Sequence, residues 1–304
     1  MTQNFFFLVR DKVPMISRKT YFFADLHADR RALLNSLEYC DDLSATYLIG
    51  GDCLDKGPSN LELLREVKSL SKRAEVRLLA GNHDLRMLMV LQNWEEQANF
   101  LFQRIFTRKR LEKRIHPFLF ECGGIDAAKE MFLDPEGEFG WFFPSLNLFH
   151  QDNNFLFTHA GVSDVFAYQL KDKGQDLFNA QFRKLIGDKG TLFDFYYSQA
   201  SGAFRTKYRN KDAPFTPKGA KALREAGVNF VAHGHDSQTM GHRLRYIEDI
   251  PHLACDVTVD GNSRWKQNLG SQSGWGVAVF DPGNNHIRCF SPEAKTGFDW
   301  RLYT

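Results

Sequence analysis

Eight polar residues pose the chemical question. Asp25 and His27 close the run TYFFADLH, and Asp52 and Asp55 lie in TYLIGGDCLDKG. Asn82 and His83 lie in VRLLAGNHD, His159 in NFLFTHAG and His235 in VNFVAHGHD. Each stands where an apolar, β-rich run stops. Carboxylates, imidazoles and an amide are ligand types for Mn, Fe or Zn, and no thiolate is needed. The set exceeds what one ion requires. Two ions about 3.5–4 Å apart, bridged by a shared carboxylate, would use all of it. Such a pair suits a phosphate ester, whose oxygens bind both cations. A water bridging the ions loses a proton near neutral pH and can attack phosphorus in line with the leaving group. A histidine held by a carboxylate then protonates the departing alkoxide. Singly, these motifs say little. Asp-x-His is more often a turn, GNHD is as readily an Asx turn, and either His233 or His235 could be structural. Five strand ends that all finish on ligand types carry the reading together.

Those residues meet only if the strands that deliver them end side by side. Helical spacing follows the first run over 29–40 and the second over 59–70, with Ser59 or Asn60 near the N-cap. A helical stretch, 217–227, precedes the fifth run. Strands alternating with helices predict a βαβ core, with ligands collecting beyond the carboxyl ends of the strands. The runs 252–260, 274–281 and 286–291 predict an antiparallel sheet that finishes the fold. Helical periodicity in 85–153 and 163–200 predicts a cap beside the site. With no Pro-rich linker or repeat, 1–304 reads as a single domain carrying helical insertions at about 90–150 and 163–200.

Composition narrows the class. At 304 residues, 43% hydrophobic and 25% charged, the chain can bury a sizeable core, and its 28 phenylalanines are expected inside it. A net charge of +2 is too mild to argue for nucleic acid. The basic stretch RIFTRKRLEKR (104–114) reads first as a solvated helix face, and second as a surface that attracts anionic substrate. Five widely spaced cysteines without a C-x-x-C pair suit a reduced, intracellular protein. No signal peptide and no run of roughly 18 apolar residues is found, so a cytoplasmic location without membrane contact is expected.

ADLHA, GDCLDKG, GNHD, THAG and AHGHD, in that order, resemble the calcineurin-like metallophosphoesterases, and within them the phosphoprotein phosphatases. The resemblance implies an α/β fold, a four-layer αββα sandwich of two mixed sheets with helical insertions capping a two-metal site. It implies that Asp25 and His27 hold one ion, that Asp52 bridges, and that Asn82, His159 and His235 hold the other. His83 is then the general acid, oriented by Asp55. The implied activity is hydrolysis of a phosphate monoester, on a phosphoprotein or a small molecule. Several positions depart from the family pattern. Ala24, Ala28 and Ala160 replace glycines. Lys56 stands where the family has arginine, keeping the charge but not the bidentate fork. Arg205 is the candidate for a second phosphate-binding residue, with Arg209 as alternative. Residues 56–88 also resemble bacterial symmetrical diadenosine tetraphosphate hydrolases, so dinucleoside polyphosphate cleavage is the alternative activity. A non-catalytic scaffold is the third reading.

Overall fold

Period-two alternation along the strands decides the layering. In β1 (Thr20–Phe23), Phe22 belongs to one apolar cluster, and Tyr21 and Phe23 to another. The same split recurs in β6 (Phe155–Thr158), where Phe155 and Phe157 join Phe22 while Leu156 does not. It recurs again in β7 (Phe230–His233), with Phe230 and Ala232 against Val231. The Phe22 cluster is the seam between two sheets: the Phe157 ring lies 5.5 Å from that of Phe22 and 5.0 Å from that of Phe280. The other cluster joins the outer sheet faces to helices. Among the described residues phenylalanine thus lies largely inside, as the composition predicts.

The computed structural model describes residues 18–92, 117–198, 202–205, 214–257, 259–270, 274–281, 286–293 and 300–301. The basic stretch 104–114 and Arg209 lie outside them. One sheet adds β2 (Thr46–Ile49), β3 (Glu75–Leu79) and β4 (Leu146–Asn147) in parallel on one side of β1. On its other side β10 (Val277–Asp281), β11 (His286–Phe290) and β12 (Trp300–Arg301) run antiparallel in turn. The second sheet has the order β5 (Phe149–Asp152), β6, β7, β9 (Ile250–Ala254), β8 (Arg243–Ile247). Helices α1 (Arg30–Leu37) and α2 (Asn60–Ser71) follow β1 and β2, and α3 (Asn82–Gln92) follows β3. Later come α4 (Ile125–Leu133), α5 (Phe142–Ser145), α6 (Asp164–Ile186), α7 (Lys189–Tyr197), α8 (Gly202–Arg205), α9 (Pro217–Glu225) and α10 (Gly261–Lys266). Among the described residues no helix is long and apolar enough to cross a membrane.

Two expectations change. The strand in the run 252–260, part of β9, does not belong to the antiparallel tail. β8 and β9 form a hairpin whose turn residues, Glu248 and Asp249, have φ of 49° and 60°. Having turned back once, the chain runs parallel to β7 in β9. The second change concerns 76–84: β3 stops at Leu79, and Asn82 opens a helix.

A buried histidine away from the strand ends gives this fold a pH signature. His150 on β5 stacks on Phe157 at 6.1 Å and lies 3.1 Å from an Arg77 nitrogen. Burial, and then the Arg77 charge, push its imidazole down to about 4. The unfolded chain takes up that proton below about pH 6.5. Stability therefore rises with pH between these values and is lost as pH falls toward the lower one, at about 1.4 kcal/mol per pH unit for this group. His150→Gln is expected to flatten the dependence of the urea midpoint on pH in that window. A slope equal to that of the wild type would show that His150 does not titrate so.

Candidate metal centre

The parallel strands β1, β2 and β3, and the parallel pair β6 and β7, send their carboxyl-terminal residues to one place. His159, just beyond β6, has its Nε2 3.4 Å from Asp52 Oδ1, beyond β2. The backbone N–H of His235, beyond β7, donates to Asp25 Oδ2 at 2.8 Å. The His27 and His83 Nε2 atoms lie 3.7 and 3.8 Å from Asp52 Oδ2, and His27 Nε2 lies 3.8 Å from Asp25 Oδ1. Two groups of donor atoms result, His27–Asp52–His83 and Asp52–His159–His235, each within 4.8 Å, and Asp52 belongs to both. Asn82 Oδ1 is 3.1 Å from His159 Nε2 and so adjoins the second group.

Hydrogen bonds fix what these atoms present. His159 Nδ1 faces the Gly50 carbonyl at 2.8 Å, and a carbonyl only accepts, so Nδ1 carries the proton. Nε2 of the neutral ring then points a lone pair at the oxygens of Asp52 and Asn82. Three acceptors facing one another repel unless a cation lies among them. Their spacing is that of atoms sharing an ion at about 2.0–2.2 Å. Charge agrees with this. Burial, then the Lys56 charge, holds His27 well below the usual imidazole range, and burial lowers His159. Burial, then the charges of Asp256 and Asp52, holds the Asp25 carboxyl well above its ordinary range. Burial also acts to raise Asp52, but His159, His83, His27 and Lys56 outweigh it and keep that carboxyl ionised. Burial disfavours the charged forms of His27 and His159 beside the buried acids Asp25 and Asp52, and this donor set fits divalent metal.

The backbone pays for this convergence. Asp25, His27, Ala28, Asp52, Asp55, Lys56 and His235 have φ between 46° and 73°, seven of the eleven such non-glycine residues described. Left-handed backbone collected at one place marks a functional site. It makes one departure from the family pattern costly, since Ala28 at φ 54° occupies a conformation that glycine adopts freely. Asn82, His83 and Asp84 form the first turn of α3 because Asp84 accepts the N–H groups of Gly81 and Leu54, both at 3.0 Å. That turn aims the His83 N–H at Asp52 Oδ1, 2.8 Å away. Gly81 is needed there: a Cβ would stand 2.0 Å from the Asp52 backbone nitrogen and 2.2 Å from its Oδ1. Gly81→Ala is expected to lower metal affinity by about 10–100-fold, as removing a support of a ligand does. Titration calorimetry with Mn²⁺ measures it, and unchanged affinity would refute the contact.

His83 and Asp55 stand together, Nδ1 to Oδ2 at 2.6 Å. Lys56 Nζ lies 2.7 Å from His27 Nε2 and 3.9 Å from Asp260 Oδ2. Arg205 ends α8, and the carbonyl of Ala203 in that turn accepts the Ala160 N–H at 2.6 Å, beside His159. Sequence reasoning missed Asp256, buried just beyond β9 and bonded to the Ser237 hydroxyl at 2.8 Å. Its signal is present in the sequence: ACD is one more apolar run ending on an acid, and the β8–β9 hairpin is what carries it to the site instead of the tail.

The calcineurin-like phosphoesterase sequence profile matches residues 18–239. Over 74 residues the chain is 42% identical to the symmetrical bis(5'-nucleosyl)-tetraphosphatase of Salmonella paratyphi B, covering 23% of this chain. The match spans about a quarter (25%) of that relative's length. The protein-tyrosine phosphatase of a psychrophilic Shewanella species superposes with a TM-score of 0.62 at 18% identity, covering 93% of this chain and 80% of that one. A protein serine/threonine phosphatase from Saccharomyces cerevisiae gives 0.52 at 17%, covering 93% and 82%. At such identities the likeness speaks for the fold. The profile match is broader in kind, because it takes in Asp25, His27, Asp52, Asn82, His83, His159 and His235, and on it the chain belongs to the calcineurin-like phosphoesterase family.

Proposed function

We propose that the chain is a two-metal phosphohydrolase acting on phosphate monoesters, of a phosphoprotein or a small molecule. The observation that supports it most is Asp52 shared by two donor groups, with the bonded pair His83–Asp55 at their edge. Asp25 and His27 would hold one ion, and Asn82, His159 and His235 the other, with Asp52 between them. Bound there, two Mn, Fe or Zn ions supply charge neutralisation for the phosphoryl oxygens and an acidified water. The chain supplies the rest. Asp55 holds His83 Nδ1, so the Nε2 proton is free to go to the leaving oxygen. Lys56, and Arg205 from α8, neutralise the phosphoryl group. His83 Nε2 also lies within the first donor group, and a bond from its other nitrogen to Asp55 serves a metal ligand and a proton donor alike, so metal content has to be measured beside activity.

The expected result is hydrolysis of p-nitrophenyl phosphate with added Mn²⁺, loss of activity on chelation, and recovery when metal is returned. A protein inert with every metal tried rules the proposal out. The 74-residue match favours a second reading, dinucleoside polyphosphate cleavage. Diadenosine tetraphosphate turned rapidly into two ADP, with slow monoester cleavage, would put that reading first. A purified protein that takes up no metal would instead point to the scaffold.

A further inference from the structure

We propose that Asn60 and Glu121 are positioning residues for proton donation, acting through Asp55. The proposal rests on the reading of His83 as the acid.

Asp55 sits at φ 73°, left-handed backbone that costs an aspartate less than most residues but more than glycine. Its backbone N–H donates to Asn60 Oδ1 at 2.9 Å. Asn60 is 1% exposed and opens α2. An amide side chain has two orientations, and only one serves Asp55. Glu121 selects it: its carboxylate accepts from Asn60 Nδ2 at 2.8 Å, which leaves Oδ1 for Asp55. The same carboxylate accepts the Asn60 and Leu61 backbone N–H groups at 2.9 and 3.2 Å. It thereby caps α2 from outside. The side chain of Ser59, at the N-cap, makes no such bond; its oxygen accepts the Arg30 N–H at 3.5 Å while its O–H donates to the Ala28 carbonyl at 3.1 Å. Glu121 lies in helical segment 117–122, 61 residues beyond Asn60 in sequence. The sequence Glu121–Asn60–Asp55–His83 thus ties the inserted helices to the group that would release the alkoxide.

A mispositioned acid has a kinetic signature that a merely loosened fold lacks. p-Nitrophenolate leaves without help, whereas phenolate needs the proton. Asn60→Ala and Glu121→Ala are expected to slow phenyl phosphate turnover by about 10–100-fold, part of the range removal of a general acid covers. p-Nitrophenyl phosphate turnover should change by less than about threefold, because that leaving group draws little on the acid. Glu121→Gln keeps an oxygen for Asn60 but turns its NH₂ toward the Leu61 N–H, and should fall between wild type and Glu121→Ala. In an Asp55→Asn background, Asn60→Ala should add no further loss. Equal losses on both substrates, or full additivity with Asp55→Asn, would overturn the proposal. A wild type inert on both substrates rejects the phosphatase reading. A His83→Asn protein that slows both equally rejects the acid assignment, and the relay with it.

Discussion

His83→Asn is expected to lower turnover of phenyl phosphate by about 10²–10⁴-fold, the range that loss of a general acid covers, while two metal ions remain bound. Asparagine offers no proton of suitable acidity but fills nearly the same space. The backbone N–H of residue 83, which donates to Asp52, survives the change. Asp55 loses its imidazole partner but keeps the Lys56 N–H at 2.7 Å. The loss should be smaller on p-nitrophenyl phosphate, whose leaving group needs less help. Metal analysis beside the kinetics separates the two roles His83 could play. If metal content falls with activity, His83 is a ligand in the His27–Asp52–His83 group. If neither changes, another residue donates the proton.

Asp52→Asn should have the opposite signature, with metal lost first. Only Asp52 belongs to both donor groups, and its two oxygens face different sets, Oδ2 toward His27 and His83, Oδ1 toward His159. Asparagine keeps one oxygen acceptor and no charge. The NH₂ group would have to point at imidazole lone pairs or at the His83 N–H, and it can serve only one side. Metal content is expected to drop from two ions to one or none. Turnover should fall by on the order of 10³-fold or more, matching several kcal/mol of lost charge stabilisation. Excess Mn²⁺ should not restore it. A variant holding two ions at wild-type affinity would show that Asp52 is not the bridge. Set beside His83→Asn, this change distinguishes a defect in holding ions from a defect in moving a proton.

Much of the site was legible before any coordinates, because ligand types and strand ends are local features. Asp25, Asp52 and His159 each follow an apolar run, and such a run with a polar stop reads as a strand entering an edge of the fold. Burial alternation then follows from the period of the strand, as Tyr21, Phe22 and Phe23 show. Pairing is not local. Nothing in 252–260 says that β9 runs parallel to β7, since that depends on β8 turning back first. Local pattern therefore places Asp256 in the tail, and only the pairing of β9 with β7 brings it beside Asp25. The helix that opens at Asn82 was hidden for a similar reason, because its cap is Asp84, which reaches back to Gly81 and across to Leu54.

What the chain alone determined is the list of donors and the order in which they appear. Tertiary structure decided which of them touch: that His159 and His27 share Asp52, and that Glu121 orients Asn60 beneath Asp55. Side-chain type and strand period are written within a few residues, whereas a 3 Å contact between residues sixty or a hundred apart exists only once strands and helices have chosen their neighbours.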